Sequence, residues 1–282
     1  MVARTLDATG WRGVGQSADC WTRPAPPTLP RSMALPRSAA LLLPLLALAC
    51  APAQRPHPNA ALHRDRCAHE LAQGDLVKAE AECDLGLEYS PKDGDLWVNK
   101  GLIALKDGRK QDAKAAFVRA IRFNQEQLQA YQNLGVLYFE EGAYSKAAES
   151  FTRALKVDPA FNEARFNLGL AYMRLAEKDA DYRRRARAEL HKILAVNPEL
   201  SDAHHALGEL AFGEQDLQAA AAEFRTAVQL SPEHATAWHD LGVTLLQLRQ
   251  YPQATEAFQE CIAHAGDPSC AQGLEAARRA GN

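Results

Sequence analysis

A glycine returns at one phase five times in this chain. It sits in VNKGL (98–102), QNLGV (132–136), FNLGL (166–170), HALGE (205–209) and HDLGV (239–243). Gly101, Gly135 and Gly169 are spaced by 34 residues, as are Gly208 and Gly242, whereas Gly169 to Gly208 takes 39. A glycine inside a helix costs about 1 kcal/mol relative to alanine, so five at one phase require a close approach of another backbone or ring. Small residues follow at Ala113, Ala147, Ala186, Ala220 and Ala254, and a ring stands four positions further on at Phe117, Phe151, Phe224 and Phe258. Pro159, Pro198 and Pro232 then stop the second helix of a unit, because proline lacks the donor and clashes with the preceding turn. A chain with this period folds as an array in which each helix-turn-helix buries its faces only against its neighbours.

The pattern resembles the tetratricopeptide repeat. Trp97, Tyr131 and Trp238 fill the early aromatic position, Leu134, Leu168, Leu207 and Leu241 precede the glycine, and Tyr138 and Tyr172 follow it by three. Six repeats are expected, at 60–93, 94–127, 128–161, 162–200, 201–234 and 235–267, with 268–282 as a capping helix and tail. The resemblance implies an all-α solenoid: a right-handed superhelix whose first helices line a concave wall. The fourth repeat carries five extra residues between its helices, which puts Arg183, Arg184, Arg185 and Arg187 around the start of its second helix. That run reads as a solvated face, with lipid headgroups or an acidic partner as the alternative.

Ahead of the array lies LLLPLLALAC, residues 41–50. Counted from Ala39 the apolar run is twelve residues, short of the roughly 20 a helix needs to span a bilayer. Read from Met33, the stretch has a short region with Arg37, an apolar core and small residues before a cysteine, the layout of an export signal over 33–49. Leu46 to Cys50 resemble the bacterial lipobox, which implies a lipid attached to Cys50. Residues 1–32 then read as an upstream extension outside the translated protein, and 50–59 as a short linker.

Net charge is −3, from 32 basic and 35 acidic residues, which makes no electrostatic case for nucleic-acid binding. Beyond Cys50 four cysteines remain. Cys67 falls at the glycine phase and Cys83 at the phenylalanine phase of the first repeat; Cys261 falls late in the last repeat and Cys270 opens the cap. In an exported chain this predicts two disulfides, Cys67 to Cys83 and Cys261 to Cys270, with four buried free thiols as the alternative. Zinc fits worse, since neither pair has CxxC spacing.

No phosphate-cradling glycine loop, GxSxG or HExxH occurs. His204, His205, Glu209, His239 and Asp240 cluster by repeat phase, and we read them as ordinary polar groups of a groove. The expectation is therefore a protein that is not an enzyme, with no cofactor, no metal and no small-molecule substrate.

Its wall phases are Val98, Leu102 and Leu105; Val136 and Phe139, after Gln132; Phe166, Leu170 and Met173; then Phe212, Val243 and Leu246, interleaved with His205, Glu209 and His239. Leu102, Val136 and Leu170 are expected to form an exposed apolar strip, flanked by Asn99, Asn133 and Asn167 in reach of a bound peptide backbone. The carboxylate clamp of chaperone-binding arrays is missing, Arg64 being the one clear cation at these phases, so an amphipathic helix is the better fit. Six repeats on a lipid anchor, with Ala51 rather than Asp after Cys50, are similar to the type IV pilus pilotins. That resemblance implies an outer-membrane lipoprotein on the periplasmic side whose partners are secretin subunits. Two alternatives stand beside it: a tethered adaptor for another envelope machine, and a substrate-binding subunit of a separate enzyme.

Overall fold

The computed structural model describes residues 58–176, 179–265 and 268–281, and the lipobox and Cys50 lie outside them. Among the described residues all regular structure is helical. Helices pair as α1 (Pro58–Gln73) with α2 (Leu76–Tyr89), α3 (Gly94–Lys106) with α4 (Lys110–Phe123), and α5 (Leu128–Glu140) with α6 (Tyr144–Val157). They continue as α7 (Asn162–Leu175) with α8 (Ala180–Leu194), α9 (Ser201–Gly213) with α10 (Leu217–Leu230), and α11 (Ala235–Gln247) with α12 (Tyr251–Ala265). A last helix, α13 (Pro268–Gly281), packs on α12 and α11.

The repeated glycines do what their phase requires. A Cβ placed on Gly101, Gly135 or Gly208 would sit 2.5 Å from the ring of Phe117, Phe151 or Phe224, and one on Gly242 would sit 2.8 Å from Phe258. Each ring therefore lies flat on the backbone of the facing helix, and it is fully buried there. The fourth repeat differs: its glycine, Gly169, faces Leu190, and an added Cβ would stand 3.3 Å from that side chain, tight but far less crowded than against the rings. In the first repeat Cys67 and Cys83 occupy the glycine and phenylalanine places, with Cα atoms 5.2 Å apart and sulfurs at disulfide distance. Cys261 and Cys270 likewise tie α12 to α13, with Cα atoms 5.9 Å apart. Covalent closure of loops of 16 and 9 residues contributes roughly 3 and 2.6 kcal/mol in the chain-entropy model. Both ties fall on terminal units, which have a neighbour on one side only.

Between repeats, helix starts are fixed by local chemistry. Asp93 accepts from the amides of Asp95 and Leu96 at the start of α3, and Asp216 accepts from Ala219 at the start of α10. The indoles of Trp97 and Trp238 reach back to the carbonyls of Pro91 and Pro232, at 2.9 and 2.7 Å, and lock the incoming turn. Inside the first three repeats the turn uses a left-handed glycine, Gly74, Gly108 or Gly142, with φ of 83°, 75° and 73°. Repeats five and six put Gln215 and Arg249 there, with φ of 64° and 61°.

The insertion in repeat four becomes an extra turn of helix. α8 starts six residues before Ala186 (186 − 180), whereas α4 and α6 start three before Ala113 and Ala147 (113 − 110, 147 − 144). Three of the five added residues thus lengthen the front of α8 and carry Arg183, Arg184 and Arg185 with them. They are not all a loop.

One feature of the packing defines the concave side. α1, α3, α5, α7, α9, α11 and α13 each touch the next in that series, while among the described residues no two of α2, α4, α6, α8, α10 and α12 touch. A ribbon whose first helices are in contact and whose second helices are splayed curves with the first helices inside. Among the described residues no helix is long and apolar enough to cross a membrane.

Candidate partner-binding site

The inner row is not a uniform wall. Leu102, Val136 and Leu170, expected as an exposed strip, are 5, 1 and 4% exposed and belong to the core between successive repeats. Val98, Phe139 and Phe166 are buried with them. Leu105 and Met173 are half-buried, packed against the same clusters. Two of the three asparagines are also withdrawn: Asn133 and Asn167 are fully buried, and Asn133 donates its side-chain amide to the Gln129 carbonyl of its own helix at 3.0 Å. Only Asn99 stays half-exposed. The physical reason is the direct contact of α3, α5 and α7. Side chains at these phases are sandwiched between neighbouring inner helices, so apolar residues there fill a seam.

The wall changes character at repeats five and six. The phase of Leu102, Val136 and Leu170 is taken by Glu209, and five residues past the repeat glycine comes Gly213, where other repeats carry Lys106, Glu140, Arg174 and Gln247. A Cβ on Gly213 would meet nothing within 4 Å. The missing side chain leaves a cavity of about 280 Å³ lined by Glu209, Phe212, Gly213, Phe224, His239, Asp240 and Val243. Phe212, Val243 and Leu246 are half-buried, so of the expected wall residues these stand at or beside an opening. Phe224 and Gly213 were not expected to take part. The signal for Gly213 was in the sequence: a small residue at a phase where its counterparts are long and polar.

Beneath the cavity runs a hydrogen-bonded histidine array. His205 is 1% exposed; its Nε2 donates to Asp240 Oδ2 at 2.8 Å, and His239 Nδ1 donates to Asp240 Oδ1 at 3.0 Å. The Nδ1 of His205 is buried without a partner. Behind it, 4.9 Å between ring centroids, His234 accepts from the Ala237 amide at 3.1 Å and pairs with Asp202 at 3.3 Å. Burial alone would raise the Asp240 carboxyl, but the bonds from His205 and His239 outweigh it and hold the group below its usual value. The bond to Asp202 lifts His234 above the ordinary histidine value, against the effect of its partial burial. Glu209 has no hydrogen-bonding or ionic partner among the described residues, although its neighbours do.

His205, Glu209 and Asp240 each offer a ligand atom within 4.8 Å of the others. Ligands around a tetrahedral ion with bonds of roughly 2.1 Å stand only about 3.4 Å apart, and a metal-bound histidine ordinarily has its second nitrogen hydrogen-bonded. The spread and the bare Nδ1 of His205 describe a hydrogen-bonded network rather than a closed shell.

A second, shallower cavity of about 340 Å³ lies among α6, α7 and α8, with Arg153, Lys156, Arg185, Tyr172 and Tyr182 in its lining. The basic run beside it is partly neutralised at home. Arg184 and Arg185 pair with Asp181, and Arg187 reaches Glu214.

Comparison with known proteins adds the following. Family models described as TPR repeat or tetratricopeptide repeat match residues 94–127, 137–175, 175–235 and 211–277. No curated protein sequence matches the chain significantly. Among solved structures, pilF of Pseudomonas aeruginosa is 14% identical, with a TM-score of 0.64 over 77% of this chain and 97% of its own. A tetratricopeptide-repeat protein of Parabacteroides merdae is 18% identical, with a TM-score of 0.63 over 80% of this chain and 94% of its own. YrrB, a repeat protein with an unusual peptide-binding site, is 20% identical, with a TM-score of 0.56 over 68% of this chain and 97% of its own. At these identities the likeness is one of fold.

Proposed function

The chain belongs to the tetratricopeptide-repeat proteins, which act as protein–protein interaction scaffolds, and from that premise we propose that it is a lipid-anchored pilotin. In this reading the lipid on Cys50 holds the array on the periplasmic face of the outer membrane. The array binds secretin subunits and promotes their assembly into the pore of a type IV pilus. The observation that carries the reading is a combination: a lipobox-like segment ending at Cys50, followed by six repeats and a cap. The extent of the array matches that of pilF, which it resembles over nearly all of that chain. Binding falls to the inner row, where the half-buried apolar residues Phe212 and Val243 line an open cavity and Leu246, also half-buried, follows on the same helix as Val243. The closed stretch of repeats two to four serves as the rigid frame.

Deletion of the gene, scored for heat-resistant secretin multimers, tests the assignment. Loss of multimers with an otherwise intact envelope is the expected result. Normal multimers, or a general envelope defect, would turn the reading toward another envelope machine. A Cys50→Ala chain should leave the membrane fraction; if it still matures and fractionates with membranes, the anchor is not at Cys50.

A further inference from the structure

We propose that the cavity between α9 and α11 is a receptacle for a lysine or arginine side chain of the partner, held by Glu209 and Asp240. The inference rests on the reading of this chain as a protein-binding array and names the chemistry of what enters it.

Five observations carry it. Glu209, which has no hydrogen-bonding or ionic partner among the described residues, lines this space together with Phe212, Phe224, Val243, Gly213, His239 and Asp240. Glu209 is half-buried, and a cation that enters beside it gains a charge-assisted hydrogen bond to its carboxylate. Asp240 supplies a second negative charge on the opposite helix, kept ionised by the two histidines that donate to it. The apolar walls suit the methylene stem of a long basic side chain, which buries its stem while its head reaches a polar group. Volume agrees as well: about 280 Å³ equals roughly nine waters at about 30 Å³ each, enough for one long side chain and its hydration but not for a helix. Gly213 lines the cavity and is exposed, and a Cβ there would meet nothing within 4 Å, so a longer residue at its place has room to reach over the opening.

The charge is opposite to that of a clamp for carboxylates. This pocket selects a basic side chain within the partner segment, and it sits beside Phe212, Val243 and Leu246, which can take the apolar neighbours of that residue. Arginine and lysine share this chemistry, and arginine gains from stacking on the Phe212 ring.

The test uses the full chain and four blocked hexapeptides that differ at one position: lysine, arginine, norleucine or glutamate. Titration to millimolar peptide is followed by NMR on the resonances of Phe212, His239 and Val243, with zinc chloride titrated alone in parallel. Lysine and arginine peptides should bind about tenfold more tightly than norleucine, the factor expected for one charge-assisted bond, and glutamate should not bind. Glu209→Gln should bring lysine down to the level of norleucine, and added salt should do part of the same. Gly213→Gln should abolish binding of the lysine, arginine and norleucine peptides with an unchanged melting temperature, because it plugs the mouth where there is room for a side chain. Equal binding of lysine and norleucine, or no shifts with any peptide, overturns the proposal. So does zinc binding that disappears in Glu209→Gln while the peptides remain inert, since the cluster is then a metal site. None of these readings involves secretin. A pocket that takes lysine in a chain whose deletion leaves secretin multimers intact keeps this inference and sinks the pilotin assignment; the converse result separates them the other way.

Discussion

The inner row of helices contains two stretches that look alike in sequence phase and differ in what they do. In α3, α5 and α7 the wall positions hold Val98, Leu102, Val136, Phe166 and Leu170, all buried between neighbouring helices, with Asn133 and Asn167 sealed among them. In α9 and α11 the same positions hold His205, Glu209, His239 and Val243, and the space between them is open enough for a side chain to enter. Contact between successive inner helices is common to both stretches, and a glycine–phenylalanine contact stands behind α3, α5, α9 and α11, with Leu190 in place of the ring behind α7. What differs is whether residues at the seam are large enough and apolar enough to close it. The same scaffold therefore serves as frame in one half and as receptor in the other.

Substitution at the seam is the strongest way to break this contrast. Leu170→Asp should cost at least about 3 kcal/mol, because it buries a charge where no partner exists, and the loss should show as a large drop in melting temperature. Val243→Asp, at the same phase in the open stretch but half-exposed, should cost far less. If both variants melt alike, the division into frame and receptor is wrong.

The fourth repeat offers a second, smaller contrast. Gly208→Ala pushes a methyl into the Phe224 ring and should destabilise by about 1–3 kcal/mol. Gly169→Ala meets the flexible end of Leu190 at a tight 3.3 Å, which a shift of a few tenths of an ångström relieves, and should fall within about 1 kcal/mol of neutral, helix propensity offsetting the adjustment. Chemical denaturation of the pair decides it, and a Gly169→Ala protein as damaged as Gly208→Ala would refute the packing account.

A left-handed residue without a glycine separates the last two repeats from the first three. Arg249→Gly should raise stability by roughly 0.5–1 kcal/mol, since the residue holds a φ of 61° that glycine adopts freely. A lower melting temperature would mean that the arginine side chain contributes more than its backbone costs.

The smallest effect concerns the histidines under the cavity, and it depends on pH. His234 has its pKa raised in the folded state by Asp202, so the pairing stabilises fully below the unfolded histidine value of about 6.5 and is lost as pH rises through the folded value. Protonation at Nδ1 forfeits the bond His234 accepts from Ala237, a loss that works against the pairing with Asp202. Asp202→Asn should lower the His234 pKa in an NMR titration and reduce stability by less than about 1 kcal/mol, only on the acid side of neutrality. An unchanged His234 titration would remove Asp202 as the cause.

Much of this molecule was determined by sequence alone. The spacing of Gly101, Gly135, Gly169, Gly208 and Gly242 demands a helix-turn-helix array, and Phe117, Phe151, Phe224 and Phe258 identify the rings that fill the space left by four of the missing side chains. The same phases bring Cys67 to Cys83, because a residue at the glycine place faces one at the phenylalanine place in every unit. These are contacts within one repeat, separated by a short fixed number of residues, and periodicity is enough to read them. Exposure along the inner row was decided by tertiary structure. Helical phase says which way Leu102, Val136 and Leu170 point, but whether that direction leads to solvent or to the next helix depends on how closely successive repeats stack. That stacking closes over leucine, valine and phenylalanine and stays open where Glu209 carries a charge without a partner and Gly213 carries no side chain at all.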